Sequence, residues 1–575
     1  LMVLPETAGK FIRVLPLTVV TTIAGSLLIA LFIIPFIASR VLEPAAGAGG
    51  NRSLQRMMGL IERWYRPALE YCLARPRATA VGVIGGSLVL TAALVPVVGS
   101  SLFPTANTPA FLVKIETPNG SSLAATADAL RFAEERVAAL PGVQGYFANL
   151  GHGNPQIYYN QLPREDAPDY AELFVQLRDY STRGTPRRLE ELRRELAAYP
   201  NARILVEEFV NGPPITAPIA VRVVGPDLAT LERLAGEVEA LVREVPGTRD
   251  IDNPLRVPRT NLRLRVDPQK ASQLGVPTEA FDQAVRLSVA GLEVGRFKEA
   301  DGEQYPIVVR TPVAARPDLS TLGEVRVPAA SGNLLPLSQL AVLEFEKAPS
   351  QIQRYDRERS VTVNADVEGN LNTARVTAEV VRRLDAFDFP RGYRYVLGGE
   401  AQTGSESFAG VGTAAIVAIF GIFAVLVLEF GSFRSTLIVL TVVPIGVVGG
   451  FLALLLTGNS LSFTASIGLI ALIGIEIKNS ILLVDFTNQL RAQGVALDEA
   501  IERAGETRFV PILLTSATAI GGLLPLALQN VGLYSPMAWV IIGGLVTSTF
   551  LARLVTPVMY KLFTPEVEVR SAPFT

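Results

Sequence analysis

The chain has 575 residues, of which 49% are hydrophobic and 18% are charged. Soluble chains carry about 25% charged residues, so this composition indicates apolar blocks alternating with polar ones. A net charge of −2 excludes a strongly basic nucleic-acid-binding protein. One cysteine and one histidine exclude an intrachain disulfide and a cysteine-based zinc site. No metal, cofactor or nucleic-acid partner is predicted.

Seven apolar blocks are long enough to cross a bilayer, which takes about 20 residues of helix. They lie at 14–39, 79–101, 409–428, 435–457, 461–487, 510–529 and 536–560. The chain begins at Leu1 in an apolar context, where 1–5 resembles the end of an eighth span, and it lacks the charged segment that opens a signal peptide. We therefore expect this sequence to be the C-terminal part of a longer polypeptide.

Residues 102–405 form a polar block of 304 residues in which strand and helix patterns recur. Strands are predicted at 111–116, 171–177, 204–209, 219–224, around Asp250, at 361–366 and at 393–398, and helices at 123–140, 186–198, 228–245 and 373–384. The repetition predicts split βαβ, ferredoxin-like subdomains. A single α/β domain with one sheet is the alternative. The predicted fold class is a multi-pass α-helical membrane protein with a large α+β insertion.

Arginine in the short connections predicts the topology, because cytoplasmic loops carry an excess of Lys and Arg. The connection 40–78 holds seven Arg and 488–509 holds three, whereas the turns 457–460 and 529–536 hold neither Lys nor Arg. The Arg-rich connections are therefore predicted to be cytoplasmic and the block 102–405 to lie outside the cytoplasm. Within 40–78, residues 54–73 mix Arg with large apolar side chains, which favours an amphipathic helix on the inner membrane face.

The main polar group inside the predicted spans is Glu476, Lys478 and Asp485, which share one helix. Lys478 and Asp485 lie two turns apart on one face, about 10 Å along the axis, and Glu476 points to a different face. A charge at mid-membrane depth is costly, so these residues favour a proton or ion relay. A structural ion pair between helices is the alternative, and Asp485 could also lie at the cytoplasmic interface.

The following span adds Arg508 at its cytoplasmic entrance and Thr515 two turns further along the same face. A threonine in a membrane helix often bonds only its own backbone. Beside an arginine on one face, however, Thr515 becomes a candidate relay residue. No phosphate-binding loop or catalytic triad is found, so we predict an ion gradient as the energy source and no enzymatic activity.

The segment Phe147–Tyr159 combines Gly151, His152 and Gly153 with aromatic residues. This pattern suits either a mobile loop beside an adaptable apolar pocket or an ordinary surface loop between two strands. In the first case Phe147, Tyr158 and Tyr159 are the candidate substrate-binding residues. None of the five methionines lies in 102–405 and neither does Cys72, which disfavours transport of soft Cu(I) or Ag(I) through this block.

Several motifs together resemble the C-terminal half of a resistance–nodulation–division (RND) multidrug efflux transporter. They are Gly-Lys-Phe-Ile-Arg at 9–13, Phe430-Gly-Ser-Phe-Arg434, Pro444, Gly468-Leu-Ile-Ala-Leu-Ile-Gly474, Lys478-Asn-Ser-Ile-Leu-Leu-Val-Asp485 and Pro511-Ile-Leu-Leu-Thr-Ser516. By position, Lys478, Arg508 and Thr515 match the family's relay lysine, arginine and threonine. Glu476 departs from the family's best-known drug pumps, whose residue here is not acidic. The aspartate pair that takes up the proton belongs to the family's N-terminal half.

The resemblance implies a proton-driven exporter of amphiphilic small molecules in the bacterial inner membrane, with its large domain in the periplasm. It implies a homotrimer that works with an N-terminal half, a membrane-fusion adaptor, an outer-membrane channel and membrane lipid. The segment around Gly151 would resemble the family's switch loop. The implied domains are a span at 1–39, a cytoplasmic connection at 40–78, a span at 79–101, porter subdomains at 102–215 and at 216–255 with 346–405, a docking subdomain at 256–345, a five-helix bundle at 406–565 and a cytoplasmic tail at 566–575.

Two other functions fit parts of the sequence. A membrane receptor would bind a ligand with its outer block, but the longest internal cytoplasmic connection, 40–78, is short for an output domain. An exporter of lipid or another hydrophobic metabolite would use the same fold.

Overall fold

The computed structural model describes residues 13–41, 52–103, 106–181, 184–256, 259–312, 318–319, 321–349, 351–369, 371–529 and 532–567. Within these ranges seven helices are long and apolar enough to cross a membrane, and each predicted apolar block falls on one of them. The segment 1–5, most of the first family motif at 9–13 and the tail from 568 onward lie outside the described residues.

The first two spans are each interrupted by a π-helical turn. The first comprises α1 (Val14–Leu28), the turn Ile29–Ile33 and α2 (Ile34–Val41), and the second comprises α4 (Pro76–Ala80), the turn Val81–Gly85 and α5 (Gly86–Val98). Between them lies α3 (Arg52–Ala74), the predicted amphipathic helix. Tyr65, Leu69 and Leu73 of α3 are buried in a core shared with the membrane helices, while Trp64 is exposed.

The polar block 102–405 alternates strands and helices as the sequence predicts. In chain order it contains β1 (Ala110–Glu116), α6 (Leu123–Ala139), β2 (Val143–Leu150), β3 (Tyr170–Leu177), α7 (Gly184–Leu196), β4 (Arg203–Glu208), β5 (Ile219–Val224), α8 (Leu228–Arg243), β6 (Thr248–Asp252), β7 (Arg259–Val266), α9 (Pro268–Gln273), α10 (Thr278–Val289), β8 (Leu292–Lys298), β9 (Gln304–Val309), β10 (Arg326–Pro328), β11 (Leu334–Pro336), β12 (Ala341–Ala348), β13 (Gln353–Tyr355), β14 (Glu358–Val367), α11 (Thr373–Asp385) and β15 (Arg394–Gly398).

Two separate sheets in this block have the same topology, so the repeated-subdomain interpretation is correct and the single-sheet alternative is wrong. The first sheet has the order β2-β3-β1-β4, and all of its pairs are antiparallel. In the second, β14 pairs with both β5 and β6, and β15 pairs with β5, which reproduces the order as β6-β14-β5-β15. Each sheet carries its two helices as two split βαβ units.

The first sheet buries one face under α6 and α7. Alternation along β1 turns Phe111, Val113 and Ile115 toward those helices, where they pack against Val137 and Leu196. Strand β2, which the sequence analysis did not predict, adds an outer edge with the register Phe147↔Phe174.

Residues Leu255–Ile352 form a compact unit of their own. It contains the pair β7–β12, the hairpins β8–β9 and β10–β11, and a core around Phe281, Val327 and Leu337. The boundary expected at 345/346 is wrong, because β12 pairs with β7 along its whole length from Ala341 to Ala348. The unit therefore ends after Ile352.

The remaining spans follow β15 directly. They comprise α12 (Gly399–Phe430), α13 (Phe433–Leu440), α14 (Val443–Thr457), α15 (Phe463–Ala492), α16 (Leu497–Leu528) and α17 (Ser535–Leu562). Because α12 is continuous from Gly399, the domain boundary expected at 405/406 falls inside a helix. The span predicted at 435–457 divides into α13 and α14, with Pro444 in the first turn of α14, where its missing N–H is tolerated.

Helix α17 lies at the centre of this bundle and packs against α14, α15 and α16. Its backbone approaches α14 closely, since a Cβ on Gly449 would overlap the carbonyl oxygen of Gly543. The Thr547 hydroxyl bridges the same two helices by donating to the Ile445 carbonyl at 3.1 Å. Small residues thus bring the helices together, as is usual in membranes.

Candidate functional site in the membrane helices

A small cavity with several polar lining residues lies inside the bundle, among α15, α16, α17 and Val442 ahead of α14. It has room for about one water molecule. Its polar lining consists of Glu476, Asn479, Ser480, Ser548, Thr549, Arg553 and Thr556. Ionisable groups at membrane depth mark ion or substrate pathways, so this cavity is the first candidate site.

Glu476 is almost fully buried at the edge of this cavity, with 2% of its surface exposed. Its carboxylate lies against the backbone of α14 at Gly446, where any side chain would overlap both oxygens. Neither oxygen has a hydrogen-bond partner among the described residues. The nearby Ser548 hydroxyl donates to the Leu545 carbonyl at 3.3 Å and also interacts with the Glu476 carboxyl group. Among the described residues, the buried carboxyl group is therefore supported by Ser548 and by no close hydrogen bond.

Arg553 on α17 is the cationic member of the cavity lining, and 5% of its surface is exposed. Its Nη1 donates to the Phe509 carbonyl at 2.9 Å, and the guanidinium lies 4.4 Å from the centre of the Phe509 ring. Nε and Nη2 have no hydrogen-bond partner among the described residues. Arg553 is not among the predicted site residues, although an arginine inside the apolar block 536–560 is the signal that indicates it.

Lys478 lies outside this cavity. Two residues along a helix correspond to a rotation of about 200°, so Lys478 and Glu476 lie on different faces of α15. The structure leaves Lys478 exposed and buries Glu476. Asp485 is half-buried and accepts a hydrogen bond from Gln489 Nε2 at 2.8 Å. The predicted relay face of α15 is therefore an open surface in this chain.

Arg508 and Thr515 lie on α16. The Arg508 guanidinium is 4.5 Å from the ring centre of Phe486 on α15, and its Nε has no partner among the described residues. Thr515 is exposed and its hydroxyl donates to the Ile512 carbonyl at 2.8 Å, the backbone bond that such threonines often make. Helix packing therefore brings Arg508 next to α15, whereas Thr515, like Lys478, faces outward.

The segment around Gly151 is a loop between β2 and β3, and Phe147 lies within β2. Gly153 N donates to Arg164 O at 2.9 Å, and Asn154 N donates to the buried Glu172 carboxylate at 3.2 Å. His152 is exposed, and its Nδ1 lies 2.8 Å from Gly153 O. These bonds tie the loop to its own sheet.

Aromatic residues collect on the sheet face opposite α6 and α7. Tyr158 packs on Phe209 with ring centres 4.7 Å apart, and its hydroxyl is 3.2 Å from Asn211 Oδ1. The hydroxyl of Tyr159 accepts from Gly212 N at 2.7 Å. Phe147 is the cross-strand neighbour of Phe174 and so belongs to this face. Burial raises the pKa of Tyr158 to about 12, so its hydroxyl stays neutral at physiological pH.

Residues 1–564 match the AcrB/AcrD/AcrF family of transporters. The chain belongs to this RND family. Members of the family are secondary transporters rather than enzymes, and the seven apolar helices agree with an inner-membrane protein. The receptor alternative is therefore set aside.

Several curated relatives of this AcrB/AcrD/AcrF member are similar over almost the whole chain. The cobalt-zinc-cadmium resistance protein CzcA of Cupriavidus metallidurans is 27% identical over 581 residues, covering 96% of this chain and 53% of the relative. The swarming motility protein SwrC of Bacillus subtilis is 24% identical, covering 96% and 52%. A crystal structure of a heavy metal efflux pump has a TM-score of 0.75 at 24% identity, covering 94% of this chain and 54% of that one. The chain spans about half the length of the relatives that it matches.

Proposed function

We propose that this chain is the C-terminal half of a proton-driven efflux transporter. Lys478 carries the proposal, because it stands at the midpoint of the 30-residue helix α15 with its side chain exposed. A lysine at mid-membrane depth costs at least about 2.5–3.5 kcal/mol when it lacks a partner. Carboxylates from an N-terminal half would remove that cost, and a missing half agrees with relatives about twice as long.

In this proposal, protonation of the partner carboxylates releases Lys478 and shifts α15 relative to the N-terminal half. Arg508 and Thr515 on α16 flank the same route, and Asp485 forms its cytoplasmic end. Glu476 is a further acidic group on the other side of α15. The movement is transmitted through β15, which continues directly into α12, to the second porter subdomain.

The test replaces Lys478 in the full-length transporter. Lys478→Ala should reduce export to near background, because a neutral side chain cannot respond to protonation of its partners. Lys561→Ala is the matched control, since Lys561 lies at the end of α17 and pairs with Asp498 at 2.8 Å. Unchanged efflux by Lys478→Ala at equal expression would refute the relay role.

We place the two ferredoxin-like subdomains in the periplasm as porter subdomains and Leu255–Ile352 as the docking subdomain. The positive charge of α3 supports this orientation, since five of the seven arginines of 40–78 lie within or directly beside it. The complete transporter would be a homotrimer that delivers substrate to a membrane-fusion adaptor and an outer-membrane channel.

The substrate proposed on geometric grounds is an amphiphilic small molecule. Around the loop, Phe147 is 54% exposed, Tyr159 49% and Leu162 74%, next to the aromatic face that holds Tyr158. Aromatic rings with a few polar groups suit an adaptable apolar site. A lipid or other hydrophobic metabolite would use the same surface. Phe147→Ala should lower export, whereas Tyr146→Ala, whose side chain lies on the opposite face of β2, should not.

Heavy-metal export is the second candidate, because several relatives are named for resistance to cobalt, zinc, cadmium or nickel. Among the described residues, no group of three or more His, Cys, Asp or Glu has metal-binding geometry. Susceptibility of cells expressing the full-length transporter separates the two. If the transporter protects cells against amphiphilic dyes and Phe147→Ala abolishes that protection, the first candidate is supported. If it protects only against zinc, cobalt or cadmium salts, the second is supported.

A further inference from the structure

We propose that Glu476 and Arg553 form a proton-binding site of this chain's own, separate from the Lys478 face. In this site Glu476 is the group that gains and loses the proton, and Arg553 is the counter-charge of its ionised form. The site deepens the proposed function. Its role in transport rests on that function. The chemistry of the site itself requires no transport.

Glu476 and Arg553 both have polar atoms without a close hydrogen-bond partner in the described part of the chain, and both line one cavity. Both Glu476 oxygens and two of the Arg553 nitrogens have no hydrogen-bond partner among the described residues, and both side chains line the same cavity. Buried polar atoms are normally satisfied, so each exception calls for an explanation. Two opposite exceptions on residues that line one water-sized space are explained together by a site that is rearranged when it is charged.

The surroundings of Glu476 suit a neutral carboxyl group better than an ionised one. The carboxyl lies against Gly446 and makes no hydrogen bond with the guanidinium, although both groups line the cavity. An ionised carboxylate without partners is far more costly to bury than a neutral acid. The structure therefore suits the protonated form of Glu476. Arg553 lines the same cavity and is the counter-charge for the ionised form.

Arg553 is held in place independently of Glu476. Its guanidinium is fixed by the Phe509 carbonyl and the Phe509 ring on α16. Tyr65 of the cytoplasmic helix α3 donates to the Arg553 carbonyl at 3.2 Å. The Arg553 guanidinium is thus anchored on one side. Among the described residues, its Nε and Nη2 have no hydrogen-bond partner, so they are available to a new one.

These positions define a simple proton step. When the O–H bond of neutral Glu476 breaks, the proton passes to water in the cavity and the carboxylate is stabilised by Arg553, either directly or through that water. The polar side chains Asn479, Ser480 and Thr549 line the same cavity. Other charged groups near the site belong to other faces: Lys478 is exposed, Asp485 bonds Gln489, and Arg508 stacks on Phe486.

The test is infrared difference spectroscopy of the full chain in lipid nanodiscs during a pH titration. We expect a carbonyl-stretch band from a protonated, buried carboxyl group that is absent in Glu476→Gln. Glu476→Asp should retain a band at a shifted frequency, which separates loss of the group from loss of the fold. Glu429→Gln removes an exposed carboxyl at the end of α12 and should leave the band unchanged.

Arg553→Gln tests the second half of the site. Without the cation the carboxylate loses its counter-charge, so the band should persist to a pH about one unit higher than in the parent chain. A band that survives in Glu476→Gln, or a midpoint that Arg553→Gln leaves in place, would overturn the proposal. A midpoint that depends on sodium concentration at constant ionic strength would also overturn it, in favour of a cation site. An inactive Lys478→Ala transporter affects none of these outcomes.

Discussion

The carboxylate of Glu476 occupies the space that a side chain at Gly446 would need. The two residues belong to different helices, α15 and α14, and their contact seats the carboxyl group inside the bundle. A glycine and an acid 30 positions apart are therefore one structural feature.

Gly446→Ala should destabilise the bundle, because its methyl group would overlap the Glu476 carboxylate and displace α14 or the side chain. Overpacking of this kind costs about 1–3 kcal/mol. The thermal unfolding midpoint of the solubilised chain measures the effect. Gly474→Ala is the matched control, since a Cβ there meets nothing within 4 Å, and alanine favours a helix by up to about 1 kcal/mol. Equal midpoints for the two variants would contradict the contact.

Tyr65→Phe should loosen the docking of α3 on the bundle. The Tyr65 hydroxyl is buried and donates to the Arg553 carbonyl, and burial raises the pKa of this tyrosine, so it remains a donor at all physiological pH values. Removing the donor leaves a buried carbonyl unpaired, which costs about 1–3 kcal/mol. Hydrogen exchange of the α3 amides should accelerate accordingly. Tyr71→Phe, at a ring that is 62% exposed, should leave exchange unchanged.

Gly153→Ala should release the loop that follows β2. A Cβ on Gly153 would lie 2.7 Å from the backbone nitrogen of Arg164, which is too close for two backbone segments to adjust cheaply. We expect faster tryptic cleavage after Arg164 in the variant. Gly145→Ala on β2 meets nothing within 4 Å and provides the control. Similar cleavage of both variants would show that the loop is not held at Gly153.

Glu208→Gln should reduce the pH dependence of stability in the first subdomain. Burial raises the pKa of Glu208, which Arg193 at 3.9 Å only partly offsets. The folded form therefore binds more protons than the unfolded chain above about pH 4, and stability falls as the pH rises through the folded-state pKa. Glu208→Gln has no carboxyl group at this position, so this fall in stability with rising pH should be absent.

Hydrogen exchange of β4, corrected for the intrinsic effect of pH, checks this prediction. Asp227→Asn offers a control of opposite sign. The hydrogen bonds from Thr230 lower the pKa of the Asp227 carboxyl, so its stabilising effect is present at neutral pH and disappears as the pH falls through that lowered value. If Glu208→Gln leaves the pH slope of β4 unchanged, burial of this carboxyl is not the cause.

Much of the fold follows from local patterns. Apolar length locates the seven spans, and alternating strand and helix periods locate both ferredoxin-like repeats, because each signal is contained in about 20 consecutive residues. Strand β2 escaped prediction since its polar and aromatic residues, from Gln144 to Asn149, lack strict alternation. The boundary at Ile352 depends on the pairing of β12 with β7, about 80 residues apart, which no local pattern contains.

In the membrane site, too, part of the arrangement follows from local sequence and part from tertiary packing. Helical periodicity alone determined that Glu476 and Lys478 lie on different faces of α15, because that angle is a property of the helix. Which of the two faces is buried depended on the packing of α14 and α17 against α15, where Gly446 lies against Glu476 and Gly544 lies against Leu472. The tertiary structure therefore placed Glu476 in the interior beside Arg553, and left Lys478 on the open face where the sequence had centred the relay.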